Sequence, residues 1–288
     1  MPFRSAALRR FGSVLAASLL VSSAALRAEL DPAAAKQALL AQLANYGDAA
    51  LRLDRIIEIG FLDSQADPAL RDAARQVALD YDPRLFFARS TPFYDRLSPE
   101  NQLAMLRIYD TNFPNMKGYD YELNSVVARS VSSDDPEIRK LATEMACHYK
   151  VKEAYFPLRR RANRSTGEDR LEAIRAFGRL RDARAVYFLP ALLDSKEKDV
   201  REAVFAALGQ IGRPATLALK ERLTHPDPQQ RILALKALMP VALVDDLPTF
   251  YAFVQANPDL DEPLKNDLYA LIARLEVYRD KGVETPRD

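Results

Sequence analysis

The chain has 288 residues, 48% of them hydrophobic and 28% charged, with 41 Lys and Arg against 40 Asp and Glu. That balance excludes a disordered chain and a globally basic nucleic-acid binder. Nine glycines, no tryptophan and an abundance of Ala, Leu and Arg favour helices over strands. A single cysteine, Cys147, excludes an internal disulfide.

Residues 1–28 read as a secretory signal peptide. Arg4, Arg9 and Arg10 precede an uncharged run of 16 residues from Phe11 to Leu26, and small residues then lead to Ala28. Cleavage is expected after Ala28, with Ala24 as the alternative. The run is short for a membrane anchor, which needs about 20 apolar residues, so the mature form should carry no membrane span. Gly12 and Ser13 follow Arg9-Arg10 where a twin-arginine signal wants bulky apolar residues, which favours the general secretory route. Four of the 41 basic residues and none of the 40 acidic ones lie in the leader, leaving a net charge of minus three. The expected location is the periplasm or the medium beyond it.

Residues 29–288 are predicted to form one helical domain: irregular repeats over 29–125, regular repeats over 126–240 and a C-terminal cap over 241–288. A capping helix is expected from Pro32 to Tyr46. Arg71 follows Asp67-Pro68, and Gln102 stands 31 residues later in an equivalent phrase. Arg139, Arg170, Arg201 and Arg231 then recur at 31, 31 and 30 residues, and Lys265 follows after 34. The interval from Gln102 to Arg139 is 37, and its excess falls in the loop Asn112 to Asp120. A period near 31 marks a helix pair that cannot bury its apolar face alone and must stack on its neighbours. The expected fold class is all-α: a right-handed α-solenoid of stacked antiparallel helix pairs.

Aligned on the arginines, Ala142, Ala173, Val204 and Ala234 form one column, and Ala146, Phe177, Leu208 and Leu238 form another four residues on. A spacing of four keeps both columns on one helix face, so both are predicted core. Asp or Asp-Pro ahead of each helix fits an N-cap, and Gly178 and Gly209 are expected near the helix ends.

The phrases Arg201-Glu-Ala-Val-Phe-Ala-Ala-Leu-Gly-Gln-Ile-Gly212 and Ala173 to Leu193 resemble HEAT-like repeats of the phycobilisome-lyase type, clearly over 134–240. The resemblance implies that the helix after each Asp-Pro turn is the inner one and that its partner often carries a proline, matched by Pro157, Pro190 and Pro248. It also implies an Asp–Arg ladder between turns, carried by Asp135, Asp199 and Asp227 with Arg139, Arg201 and Arg231, and interrupted where Glu168-Asp169 replaces the usual phrase. Some relatives attach or remove tetrapyrrole pigments, and a separate HEAT-like group excises alkylated DNA bases. Neither activity suits an exported chain, and the scaffold serves many unrelated functions.

The residues bearing reactive chemistry are few. His148 and His225 are far apart in sequence, and Cys147-His148 lacks a second ligand pair, so no metal is expected. There is no nucleophile elbow, phosphate-binding glycine loop or His-Glu-x-x-His. The chain is therefore read as non-catalytic, with no cofactor. Two surface features stand out. From Lys150 to Arg184 there are eleven Lys and Arg against five acids, including Arg159, Arg160, Arg161 and Arg164. Arg159 to Arg161 could equally serve the dipole at a helix end. The second feature is the loop Asn112 to Asp120 with its flank, where Phe113, Met116, Tyr119 and Tyr121 want burial while Pro114 and Gly118 forbid a continuing helix. These eight residues are the candidate partner contacts. The expected function is an exported scaffold for an unidentified protein partner, with an acidic protein face or a cell-envelope polyanion as its chemistry and no nucleic acid. The alternative is a lyase-like accessory or maturation enzyme holding a ligand in the concave groove.

Overall fold

The computed structural model describes residues 31–115 and 120–282, and the signal-peptide reading lies outside the described residues. Among them every regular element is helical. The chain divides into two compact units between Val77 and Ala78.

In the first unit, α1 (Pro32–Leu43) buries Ala35, Leu39 and Leu43, a run of i, i+4, i+8 positions that makes one narrow apolar stripe. Helix α2 (Ala49–Ile57) begins where Asp48 accepts from the Ala50 amide at 3.0 Å. It widens into a π-turn over Glu58–Leu62, closed by the Asp63 amide on the Glu58 carbonyl. Arg75 of α3 (Pro68–Ala78) donates to the Gly60 carbonyl at 3.0 Å, with its guanidinium over the Phe61 ring.

The second unit is a stack of helix pairs. Inner helices are α5 (Pro99–Asn112), α7 (Pro136–His148), α9 (Gly167–Leu180), α10 (Lys198–Ile211), α12 (Pro228–Leu238) and α14 (Glu262–Asp280). Between them run α4 (Pro83–Ser90) before α5, then α6 (Asp120–Ser130), α8 (Tyr155–Arg164), α11 (Thr216–Arg222) and α13 (Leu247–Ala256). Packing follows chain order: α5 on α7, α7 on α9, α9 on α10 and α10 on α12, each with its outer partner behind it. The unit is an α-solenoid of stacked helix pairs.

Both predicted columns are core. Ala142, Ala173, Val204, Ala234, Ala146, Phe177, Leu208 and Leu238 are all fully buried. Caps are local and repeated: Asp135 accepts from the Glu137 and Ile138 amides, and Asp227 from that of Gln229, each followed by proline in the first turn.

Three details depart from the sequence reading. The partner of α9 is not an α-helix but two 3-10 runs, Ala183–Tyr187 and Leu189–Asp194, because Pro190 at the start of the second has no amide to donate. Gly178 and Gly209 lie inside α9 and α10 rather than beyond their ends. A Cβ on Gly178 would sit 2.9 Å from the Ala207 Cα, so this glycine lets two inner helices touch through their backbones. Around Phe86, Phe87, Tyr94 and Tyr109 the crowded aromatics are core, with their hydroxyls satisfied by Ser90–Tyr109 at 2.8 Å and Tyr94–Ser130 at 2.9 Å.

Candidate functional site

The arginine column is a set of clips. The Nη1 of Arg139 donates to the Ser133 and Asp134 carbonyls, that of Arg201 to Ser195 and Lys196, and that of Arg231 to His225 and Pro226. Each arginine thus ties down the turn that feeds its own helix, six and five residues upstream. Such turns leave carbonyls without helical partners, and a planar fork of several donors suits them better than an ammonium.

The ladder between turns exists, but with different acceptors. Arg139 Nε reaches Asp169 at 2.9 Å, Arg170 Nη1 reaches Glu197 at 2.7 Å and Arg231 Nε reaches Asn257 at 2.9 Å. Asp135 and Asp227 are occupied as N-caps instead. The step at Glu168-Asp169, expected to interrupt the ladder, is where it is densest.

Arg161 explains that density. Only 5% exposed, it donates to the Val131 carbonyl, the Thr143 hydroxyl, Asp169 at 2.6 Å and Glu172 at 2.7 Å, joining α7, α8, α9 and the turn after α6. Burial pushes the Asp169 carboxyl up. Hydrogen bonds from Ser165 and Arg161, with the charges of Arg161 and Arg139, outweigh that and hold it below its ordinary value. Arg161 is therefore an internal strut, and its place among the partner-facing arginines is corrected: on a helix, a residue one or two positions from exposed neighbours can face the core. Arg159, Arg160 and Arg164 are exposed on the same outer helix.

At the loop, Phe113 begins a short 3-10 run, Phe113–Asn115, and stacks face to face on Tyr149 at 3.7 Å between centroids. The Tyr149 hydroxyl donates to the Asp110 carbonyl at 2.9 Å, and burial followed by that bond raises its pKa to about 12. Phe113 is thus half-buried against the molecule itself, and Tyr121 is 75% exposed. Met116 and Tyr119 lie outside the described residues.

A surface that sequence reasoning missed runs along the inner helices. Three adjoining depressions of about 610, 1280 and 360 Å³ share Arg179, Arg181 and Gln210. The largest opens between α10, α12 and α14. Its floor is small and apolar at Ala206, Leu233, Ala237 and Leu243, and its rim carries Arg181, Lys236 and Arg274. Among the described residues Arg179, Arg181, Lys236 and Arg274 have no ion-pair partner, whereas Arg213 is held by buried Asp246 at 2.8 Å and Glu172 by Arg161. Arg179 and Arg181 belong to the basic segment noted in the sequence, so that segment splits between two faces. The missed signal was positional: both follow the core residue Phe177 at offsets that leave the buried stripe.

Cys147 is buried between α7 and α9, with its Sγ 3.7 Å from the Ala176 carbonyl, and burial raises its pKa. Among the described residues no group of three His, Cys, Asp or Glu could hold a metal ion.

Residues 157–239 match the family model of HEAT repeats, and the chain is a HEAT-like repeat protein. No curated protein matches it. Similar solved structures include an engineered protein, at 15% identity and TM-score 0.42, covering 84% of this chain and 71% of the other. They also include the complex of CpcE and CpcF of phycocyanin lyase from Nostoc sp. PCC7120, at 13% identity and TM-score 0.30, covering 90% of this chain and all of that one. At those scores neither bears on what this chain binds.

Proposed function

We propose that this HEAT-like repeat protein is an exported, non-catalytic scaffold that binds a protein partner in the bacterial envelope, on the inner-helix surface of α7 to α14. One observation carries the reading: the groove between α10, α12 and α14 couples a small-residue apolar floor to cations that no acid of the chain engages. Apolar floors with charged rims suit protein contacts, in which buried anchors supply affinity and rim charges supply steering. The carboxylates support the non-catalytic part. Asp169, Asp182, Asp194 and Asp246 are all held below their ordinary values by basic partners, which stabilises the ionised form and opposes use as a general acid. Phe113, Tyr121, Arg159, Arg160 and Arg164 are proposed as secondary contacts.

Export rests on the leader pattern, and no helix of the described residues is long and apolar enough to cross a membrane. Protein recovered from its native host should begin at Glu29, or at Ala25 by the alternative cut, as read by amino-terminal sequencing. Full-length chain recovered from the cytoplasm would overturn the location. Capture by the mature protein from envelope extracts, followed by mass spectrometry, tests the scaffold: a partner released by salt is expected, and enrichment of nothing above a scrambled bait would refute it.

A further inference from the structure

The chain leaves three successive inner helices through the same backbone position, spaced 31 residues apart: Lys150, Arg181 and Gly212 have φ of 58°, 52° and 87°. Arg181 occupies the left-handed site of a Schellman turn, its amide on the Gly178 carbonyl at 3.0 Å and the next amide, of Asp182, on that of Phe177 at 3.4 Å. The Val151 amide on the Ala146 carbonyl at 3.0 Å repeats the outer bond around Lys150. Glycine is the residue this site favours, because a Cβ is strained there, and Gly212 follows the rule. Two repeats instead keep a long cation in it. Lys150 has a packing reason: its Nζ donates to the Arg179 carbonyl at 2.6 Å, capping the neighbouring helix. Arg181 has none among the described residues. It is exposed, has no ion-pair partner, and lines both of the larger depressions.

We propose that Arg181 is the anchoring cation of a binding site for an acidic, partly apolar segment of the partner, laid along the groove from α9 to α14. This rests on the scaffold reading above. Arg179, Lys236 and Arg274 extend the same charge along the rim, against Glu144 and Asp245 as the acids on the same surface without partners among the described residues. Leu233, Ala237 and Leu243 offer the floor to apolar side chains. An extended or helical segment alternating carboxylates with aliphatic residues meets both demands. Strain kept at a position where glycine would relieve it points to a use for the side chain.

The test is fluorescence anisotropy of the mature protein with a labelled peptide of alternating Glu and Leu, beside the same peptide with Gln for Glu, at low and high salt. The Glu peptide should bind, weaken with salt, and exceed the Gln peptide. Arg181→Gly should weaken it about five- to tenfold while raising the midpoint of chemical denaturation, and Arg181→Lys should keep most of the binding. Unchanged binding in Arg181→Gly, a lowered denaturation midpoint, equal binding of the Gln peptide, or tighter binding of polyphosphate or a single-stranded oligonucleotide would each overturn the proposal. A photocrosslinking residue placed at Ala206 in the groove, or at Tyr187 on the outer 3-10 run, separates this from the scaffold reading in envelope extracts. Crosslinks at Ala206 support the groove; crosslinks at Tyr187 alone refute the groove and leave the scaffold; crosslinks at neither refute both.

Discussion

Arg161 reaches the carboxylate of Asp169 at 2.6 Å, and the same carboxylate takes Arg139 at 2.9 Å, so one acid fastens an inner and an outer helix of the preceding turn to the next inner helix. Arg161→Ala removes four donated bonds from a side chain that is 5% exposed. The loss should be about 2–4 kcal/mol, below the full cost of breaking a buried pair because Asp169 and Glu172 keep partial access to water. Arg160→Ala, one residue away and exposed, should stay within about 0.5 kcal/mol. Urea denaturation of the two variants measures the difference, and equal values would return Arg161 to the surface.

The same carboxylate gives a pH dependence with a defined sign. Its folded pKa is depressed below the ordinary 3.8, so its contribution is fully present above about pH 4 and is lost as pH falls through the folded value. Asp169→Asn should lower stability at neutral pH and flatten the acid limb, so that variant and parent converge as pH falls. Denaturation midpoints taken across the acid range decide it: parallel curves would mean that Asp169 titrates alike folded and unfolded.

Leu208 tests the register of the repeat. It is fully buried in α10, the helix placed between α9 and α12. Leu208→Ala should cost about 2–5 kcal/mol, because neighbouring helices cannot both collapse into the gap. Leu217→Ala, at a side chain 71% exposed on α11, should cost less than about 0.5 kcal/mol.

What the sequence made legible was what repeats. Arginines at 31-residue spacing set the register, and every residue of the two core columns is buried. The caps Asp135 and Asp227 were legible because proline follows each. Pairings across turns were not. Arg139 ignores Asp135 for Asp169, since only the stacked structure shows which acid lies beside which guanidinium. Arg161 looked like one of a solvated run because charge composition carries no direction; its inward turn depends on acids of α9 standing opposite. The groove went unseen for a related reason: it is made by the ends of several helices, none of which carries a motif.

The two inner glycines separate steric cost from helix propensity. A methyl at Gly178 would meet Gln210 Oε1 at 2.5 Å and the Ala207 Cα at 2.9 Å. Gln210 can swing away, but the Ala207 backbone cannot yield unless α9 and α10 part. Alanine gains about 0.5–1 kcal/mol over glycine inside a helix, whereas overpacking costs about 1–3 kcal/mol, so Gly178→Ala should lose about 1–2 kcal/mol net. At Gly209 the contacts with Ala237 are 3.1 to 3.3 Å, within reach of a small shift, and the two effects should nearly cancel. Because Gly178 and Gln210 line the same depression, the first variant should also weaken the Glu–Leu peptide while the second leaves it nearly unchanged. Denaturation and anisotropy on both variants check this; equal stability losses would mean that α9 and α10 can part without consequence, and that the close backbone approach is not what sets the groove.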